Sequence, residues 1–356
     1  MKGKSHKPTG VKAIANALGV SIGTVDRALH GRHGISLETH AKVLKMAAKL
    51  DYKPNVAARS LKLNQKLKFA VHLPQQIACF FDLLREGVVA AAEAVLGAQV
   101  KLDLRTYPRL GEGDIEMIEM DMKENYDGFI LTAGNQSRID PLLRRLAERN
   151  ISVVCVASDA PRSPRLATVS VDATISGGIA AELLARTVPR DGTVVPITGD
   201  LSTQDHVEKL RGFAGTLATF APHLRLLPAI EAHDSLEEAY TKTLTLLRRK
   251  PRPDGIYVNT ANSLPVLRAL QEQELLGKIQ VVTTDLFAEL VPLIESGAVL
   301  ATLDQRPFTQ GKRAFEILFR FLVEGIRPQA VTRLAPHIVL RSNLSLFSQQ
   351  IRHNSN

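Results

Sequence analysis

Beyond residue 66 the chain alternates short apolar runs with longer amphipathic segments, and no other feature constrains its fold as tightly. The runs Leu67–Leu73, Val100–Leu104, Gly128–Thr132, Ser152–Ala157, Thr193–Thr198, Leu224–Ile230, Gly255–Val258, Gln280–Thr284 and Val299–Leu303 are rich in Val, Ile and Leu, which predicts strands. Between them, helical spacing predicts helices at Leu83–Leu96, Pro141–Arg149, Ile175–Leu184, Lys209–Phe220, Leu236–Arg249, Ser263–Glu274 and Gln310–Val323. Strands separated by helices pair in parallel, with helices on both sheet faces. One series precedes about residue 173 and one follows it. The expectation is an α/β body of two similar doubly wound lobes joined by a few crossing segments. Such lobes enclose a cleft, and a small ligand should sit where the carboxyl ends of both sets of strands face each other.

The first sixty or so residues follow a different rhythm. Val11, Ile14 and Leu18 share one face of a short helix, Gly19-Val20-Ser21 make a turn, and Val25, Ala28 and Leu29 point inward from a second helix. A third helix starts at Ser36, a good N-cap residue, and supplies Val43, Leu44, Ala47 and Leu50 to a small all-α core. This packing leaves the outer face of the second helix free to enter a DNA groove. Charge agrees: residues 1–68 hold 14 Lys and Arg against 3 Asp and Glu, a net +11, whereas the rest holds 31 against 33, a net −2. A basic head on a near-neutral body suits the release of counterions from DNA phosphates. RNA is disfavoured because Tyr52 is the head's one aromatic residue, so bases have nothing to stack on.

Other classes are poorly supported. There is no phosphate-binding G-x-x-x-x-G-K-[ST] loop, Gly111-Glu112-Gly113 lacks the third glycine of a dinucleotide fingerprint, and no G-x-S-x-G elbow or H-E-x-x-H helix occurs. Cys79 and Cys155 lie far apart in apolar settings, which argues for inert buried thiols rather than a disulfide or a metal site. No enzyme activity, cofactor or metal is expected. The N-terminus lacks a secretory apolar stretch and no run approaches a membrane span, so the expected location is the cytoplasm, with no membrane partner.

Three stretches carry a resemblance. Val11-Lys-Ala-Ile-Ala-Asn-Ala-Leu-Gly-Val-Ser-Ile-Gly-Thr-Val-Asp-Arg-Ala-Leu-His-Gly, then Ile35-Ser36, then Leu50-Asp-Tyr-Lys-Pro-Asn-Val-Ala-Ala-Arg-Ser-Leu61, resemble the head and hinge of the LacI family, and the body resembles periplasmic sugar-binding proteins of type I. The resemblance implies a transcription regulator, a repressor in the first instance, acting as a homodimer on a pseudopalindromic double-stranded DNA operator under control of a sugar-like effector. It divides the chain into a DNA-binding domain at 1–54, a hinge at 55–66, a two-lobed body at 67–345 and a flexible tail at 346–356. A body that has lost its ligand response and serves only for dimerisation is the open alternative.

On the head, Ile22, Gly23 and Arg27 match the family's base-reading positions. Arg27 can donate a bidentate pair to a guanine edge, with a phosphate contact as the alternative, and Ile22 offers apolar contact. Ser21 and Thr24 would cap the helix and bind phosphate. Asp26 departs from the family's usual serine and would repel phosphate, hold a basic neighbour, or read a cytosine amino group. Asn55, Ala58 and Leu61 match the hinge helix, which is too short to persist alone; Leu61 is the match for a minor-groove wedge, or else covers the start of the body.

In the body, Phe80 and Phe81 match aromatics that sandwich a sugar ring, with core packing as the alternative. Asp285, Gln305 and Asn259 each follow a predicted strand and should point into the cleft, with Asp159 a weaker addition. Lys209 stands where the family often has arginine, keeping the charge but losing the planar fork; Asp205 and His206 lie nearby. The expected ligand is a small polar polyhydroxy compound, with an anionic group as an option.

Overall fold

The computed structural model describes residues 11–29, 34–50, 66–95 and 99–347. The chain divides into two units, one comprising Met1–Gln65 with the short pieces Gly97–Gln99 and Arg320–Ile326, the other the remainder.

In the first unit, helices α1 (Val11–Leu18), α2 (Ile22–Leu29) and α3 (Leu37–Lys49) close on Ile14, Ala15, Val25, Ala28, Val43 and Ala47, all buried. Val11, Leu18, Leu29 and Leu50 pack against this core from its margin. Gly19 takes φ +63°, the left-handed conformation that lets the chain reverse after α1. Ser21 Oγ accepts from Thr24 N at 3.0 Å at the start of α2, and Ser36 Oγ accepts from Thr39 N at 3.1 Å at the start of α3. Leu44 departs from expectation: it is 44% exposed. One residue on from Val43 is a rotation of about 100° on a helix, which carries Leu44 off the inner stripe.

The second unit holds two sheets. The first has the order β12-β5-β4-β3-β1-β2, from Val331–Leu334, Ala167–Val171, Ser152–Val156, Gly128–Leu131, Lys66–Pro74 and Gln99–Tyr107. The second has the order β13-β11-β10-β9-β6-β7, from His337–Val339, Ala301–Asp304, Gln280–Thr284, Gly255–Val258, Thr193–Thr198 and Arg225–Leu226, with β8 (Ile230–Glu231) also on β6. β1 and β3 to β5 pair in parallel, as do β6 with β9 and β9 to β11; β13 lies antiparallel on β11. The chain passes between lobes after β5, after β11 and between β12 and β13.

The differences from the periodicity reading have local causes. Leu224–Ile230 is not one strand, because Pro228 separates β7 from β8 and has no N–H for the ladder. β5, β12 and β13 were not expected: Thr168 and Ser170 give β5 a loop-like composition, and the two short strands near the C-terminus mix polar with apolar residues. The helix Asp114–Asp121 (α5) was also missed, its apolar spacing being hidden in an acidic run. Helix α4 spans Ala78–Ala94, α6 Gln136–Glu148 and α7 Ala173–Thr187, and α8 runs Gln204–Phe220, one turn earlier than expected. Both cysteine thiols are free, Cys155 buried and Cys79 only half-buried, and burial pushes both up to about 12, so neither is a thiolate near neutrality.

Helices α7 and α8 cross at two glycines. A Cβ on Gly177 would fall 2.0 Å from Lys209 O, and one on Gly212 would fall 2.0 Å from Thr174 O. This close crossing fixes where α8 delivers Asp205, His206 and Lys209.

Candidate functional site

Sixteen residues from both lobes line a cavity with about 500 Å³ of atom-free space, part of it open to solvent. One wall is largely apolar. Ile77, Phe80 and Phe81 come from the start of α4, and Leu110 joins them. The two phenyl rings meet edge to face with centroids 4.9 Å apart.

The opposite wall is polar and grows from strand ends and α8. Asp285 follows β10 in the left-handed region at φ 66°, a conformation that Asp tolerates better than most residues. Its Oδ1 accepts from Gln305 N at 3.1 Å and its Oδ2 from Gln305 Nε2 at 2.8 Å. Burial, reinforced by the neighbouring Asp304 carboxylate, pushes its pKa up to about 7, while Lys209 and the bonds from Gln305 pull the other way. Lys209 is 1% exposed, with Nζ 2.7 Å from Asp205 Oδ2 and donating to Asn259 O at 3.2 Å. Asp234, at φ 53°, accepts from Thr260 Oγ1 at 2.8 Å.

A second space, lined by Ile77, Phe81, Arg109, Leu110, His233 and Asp234 among others, adjoins this cavity. There Gln76 Nε2 donates across the lobes to Asp234 O at 2.6 Å.

Phe80, Phe81, Lys209, Asp285 and Gln305 therefore line one cavity, together with Asp205 and His206. Asn259 does not: it is fully buried beneath the wall, its Nδ2 donating to His206 O at 3.4 Å, and Thr260 and Ala261 line the cavity in its place. Asp159 does not either. Arg165 holds both its oxygens, Nη2 at 2.6 Å from Oδ2 and Nε on Oδ1, while Ala157 and Ser158 face the cavity. Thr132, Ser158, Asp234 and Thr260 were missed. Asp234 was recoverable as a carboxylate at the end of β8, had that strand been separated from β7.

Asp285 carries a pH signature. Its folded pKa of about 7 lies above the usual 3.8, so between those values the folded protein holds a proton that the unfolded chain has lost. Stability therefore falls as pH rises through this window and levels above it. Asp285→Asn should melt above the wild type by roughly 5 °C or more at pH 8, with the difference closing towards pH 4.5. A difference independent of pH in thermal melts would contradict the assignment.

On the head, Ser21, Ile22, Gly23 and Arg27 are exposed and Thr24 and Asp26 half-buried. Ile22 is 53% exposed although apolar. Asn55, Ala58 and Leu61 lie outside the described residues. Among the described residues no helix is long and apolar enough to cross a membrane.

A two-lobed body with a cavity between its lobes, in one chain with a basic head whose second helix has an exposed face, defines an effector-binding class of DNA-binding protein. Residues 11–55 match the family of bacterial regulatory proteins named lacI, and residues 69–325 match the periplasmic binding protein domain. The chain belongs to the LacI family of transcriptional regulators, with a periplasmic-binding-protein body. It is 23% identical over 338 residues to the HTH-type transcriptional repressor PurR of Vibrio parahaemolyticus, covering 94% of this chain and 98% of that one. It is 25% identical over 322 residues to the ribose operon repressor of Bacillus subtilis, covering 86% and 90%. Among solved structures, a glucose-galactose binding protein from Geobacillus stearothermophilus superposes with a TM-score of 0.72 at 23% identity, covering 79% of this chain and 99% of that one.

Proposed function

We propose that the protein acts as a homodimeric repressor on a pseudopalindromic operator, with its DNA affinity set by a small sugar-like effector held between the lobes. The observation that carries this reading is the convergence of Phe80, Phe81, Lys209, Asp285 and Gln305 on one cavity in a chain with a basic helix-turn-helix head. Aromatic faces beside carboxylate and amide acceptors suit a polyol ring, which has apolar C–H faces and hydroxyl donors at its rim. The repressor sense follows the relatives, two of which bear that name. In this reading residues 1–54 bind DNA, 55–66 form the hinge that folds on the operator with Leu61 as its wedge, and the body from 67 binds effector and partner copy. Ser21 and Thr24 hold phosphate, and Ile22, Gly23 and Arg27 face bases. No catalytic role is assigned, and the place of action is the cytoplasm.

The test is selection of bound fragments from the source genome by the full-length protein beside a control starting at residue 67. Recovery of a pseudopalindrome by the full-length chain alone is expected, and adjoining genes would name the effector class to try. Equal enrichment by both proteins, or by neither, would defeat the operator reading.

A further inference from the structure

The geometry points to an effector that carries no negative charge: a polyol or amino-polyol ring that lies on Phe80 and Phe81 and donates hydrogen bonds to Asp234 and Asp285. This rests on the cleft being the effector site and goes further by excluding phosphorylated and carboxylated ligands.

The cations on and beside the cavity are already engaged: in the adjoining space Arg109 pairs with Glu112 at 3.0 Å and His233 with Glu238 at 2.8 Å. Among the described residues Lys209 is the one lysine on the cavity lining and no arginine lies there; its ammonium is held by Asp205 at 2.7 Å and by Asn259 O at 3.2 Å. Asp205 already offsets the charge of that ammonium, so a ligand anion would gain little from it while facing Asp205, Asp234 and Asp285 across the same cavity. Nδ1 of His206 is likewise engaged, 2.9 Å from Asp200 O and 3.0 Å from Thr203 Oγ1, with Asp234 Oδ2 at 4.0 Å. The start of α8 faces the cavity, but Asp205 in its first turn sets a negative charge against any anion placed there.

The acceptors are in excess. Asp234 Oδ1 takes one bond from Thr260 Oγ1, and Asp285 Oδ2 takes one from Gln305 Nε2. A carboxylate oxygen can accept two, so each retains capacity for a ligand hydroxyl or ammonium.

The aromatic wall supplies two further groups. Thr132 and Ser158 line the cavity at 3% and 4% exposure, and neither hydroxyl has a hydrogen-bond partner among the described residues. Buried hydroxyls are normally paired, and each of these can both donate to and accept from a ligand hydroxyl. The cavity thus presents two carboxylates, two amphoteric hydroxyls, two aromatic faces and a spoken-for ammonium.

The test uses the small-molecule extract of bacterial cells, split on an anion-exchange resin into retained and unretained fractions. Each is added to the full-length protein and to Asp285→Asn, and melting is followed. We expect the unretained fraction to raise the wild-type melting temperature by about 5 °C at ligand near a hundred times its dissociation constant, and the folded Asp285→Asn protein to lose that rise. Stabilisation by the retained, anionic fraction alone overturns this inference and leaves the effector reading standing. Stabilisation by neither counts against the effector reading itself, and the inference falls with it.

Discussion

Gly212→Ala is expected to lower the melting temperature of the body by roughly 6–12 °C, from about 3 kcal/mol of overpacking. The added methyl group would sit 2.0 Å from Thr174 O, 2.7 Å from Thr174 C and 2.8 Å from its Cα. These are backbone atoms near the start of α7, so no side chain can turn aside and the helices must separate. Since α8 carries Asp205, His206 and Lys209, separation also displaces the polar wall of the cleft, and effector binding should weaken with stability. Gly215, on the same helix, provides the control. A Cβ there meets nothing within 4 Å, so Gly215→Ala should stabilise by about 0.5–1 kcal/mol through helix propensity alone. Thermal melts of the two variants side by side separate steric crossing from the general effect of alanine for glycine. Equal melting of both would remove the crossing from the account.

Arg27→Ala is expected to abolish most sequence preference while sparing non-specific binding. Arg27 stands exposed in the last turn of α2, on the helix whose buried face is Val25 and Ala28. A bidentate arginine–guanine contact is worth about 1–3 kcal/mol, and the proposed homodimer would make it twice, so operator affinity should drop by about 30-fold to 3 × 10⁴-fold. Affinity for unrelated DNA at low salt should change little. A phosphate contact predicts the opposite pattern: uniform weakening across sequences, and a salt dependence shallower by about one for each arginine removed. Binding curves on operator and scrambled duplexes at several salt concentrations distinguish the two.

Much of this is legible in the sequence. The alternation of apolar runs and amphipathic stretches contains the two parallel sheets, because burial on both faces demands uninterrupted apolar strands. The head was equally plain: Ile14, Val25 and Ala28 show their inward face by spacing, and Ser36 marks its helix start by residue type. Asp285 and Gln305 were recoverable as polar residues just past strand ends. Strands β5, β12 and β13 were not, since short segments of mixed polarity owe their conformation to the strands beside them rather than to local preference.

The side chains that face the ligand were decided by tertiary structure. Past a strand end the backbone turns, and neither strand nor helix period says which of two adjacent residues looks into the cavity; hence Thr260 rather than Asn259, and Ser158 rather than Asp159. Lys209 makes the point most sharply. As a residue it promises a cation for the ligand, and a helix beginning at Lys209 leaves Asp205 outside it. Starting it at Gln204 puts the two four apart on one face, where the carboxylate takes up the ammonium. Sequence alone determined the lobes, the head and the division of charge between them, because hydrophobic period and net charge are sums over many residues. The character of the cleft was left to tertiary structure, because it depends on which few of those charges the fold pairs with each other and which it leaves for a ligand.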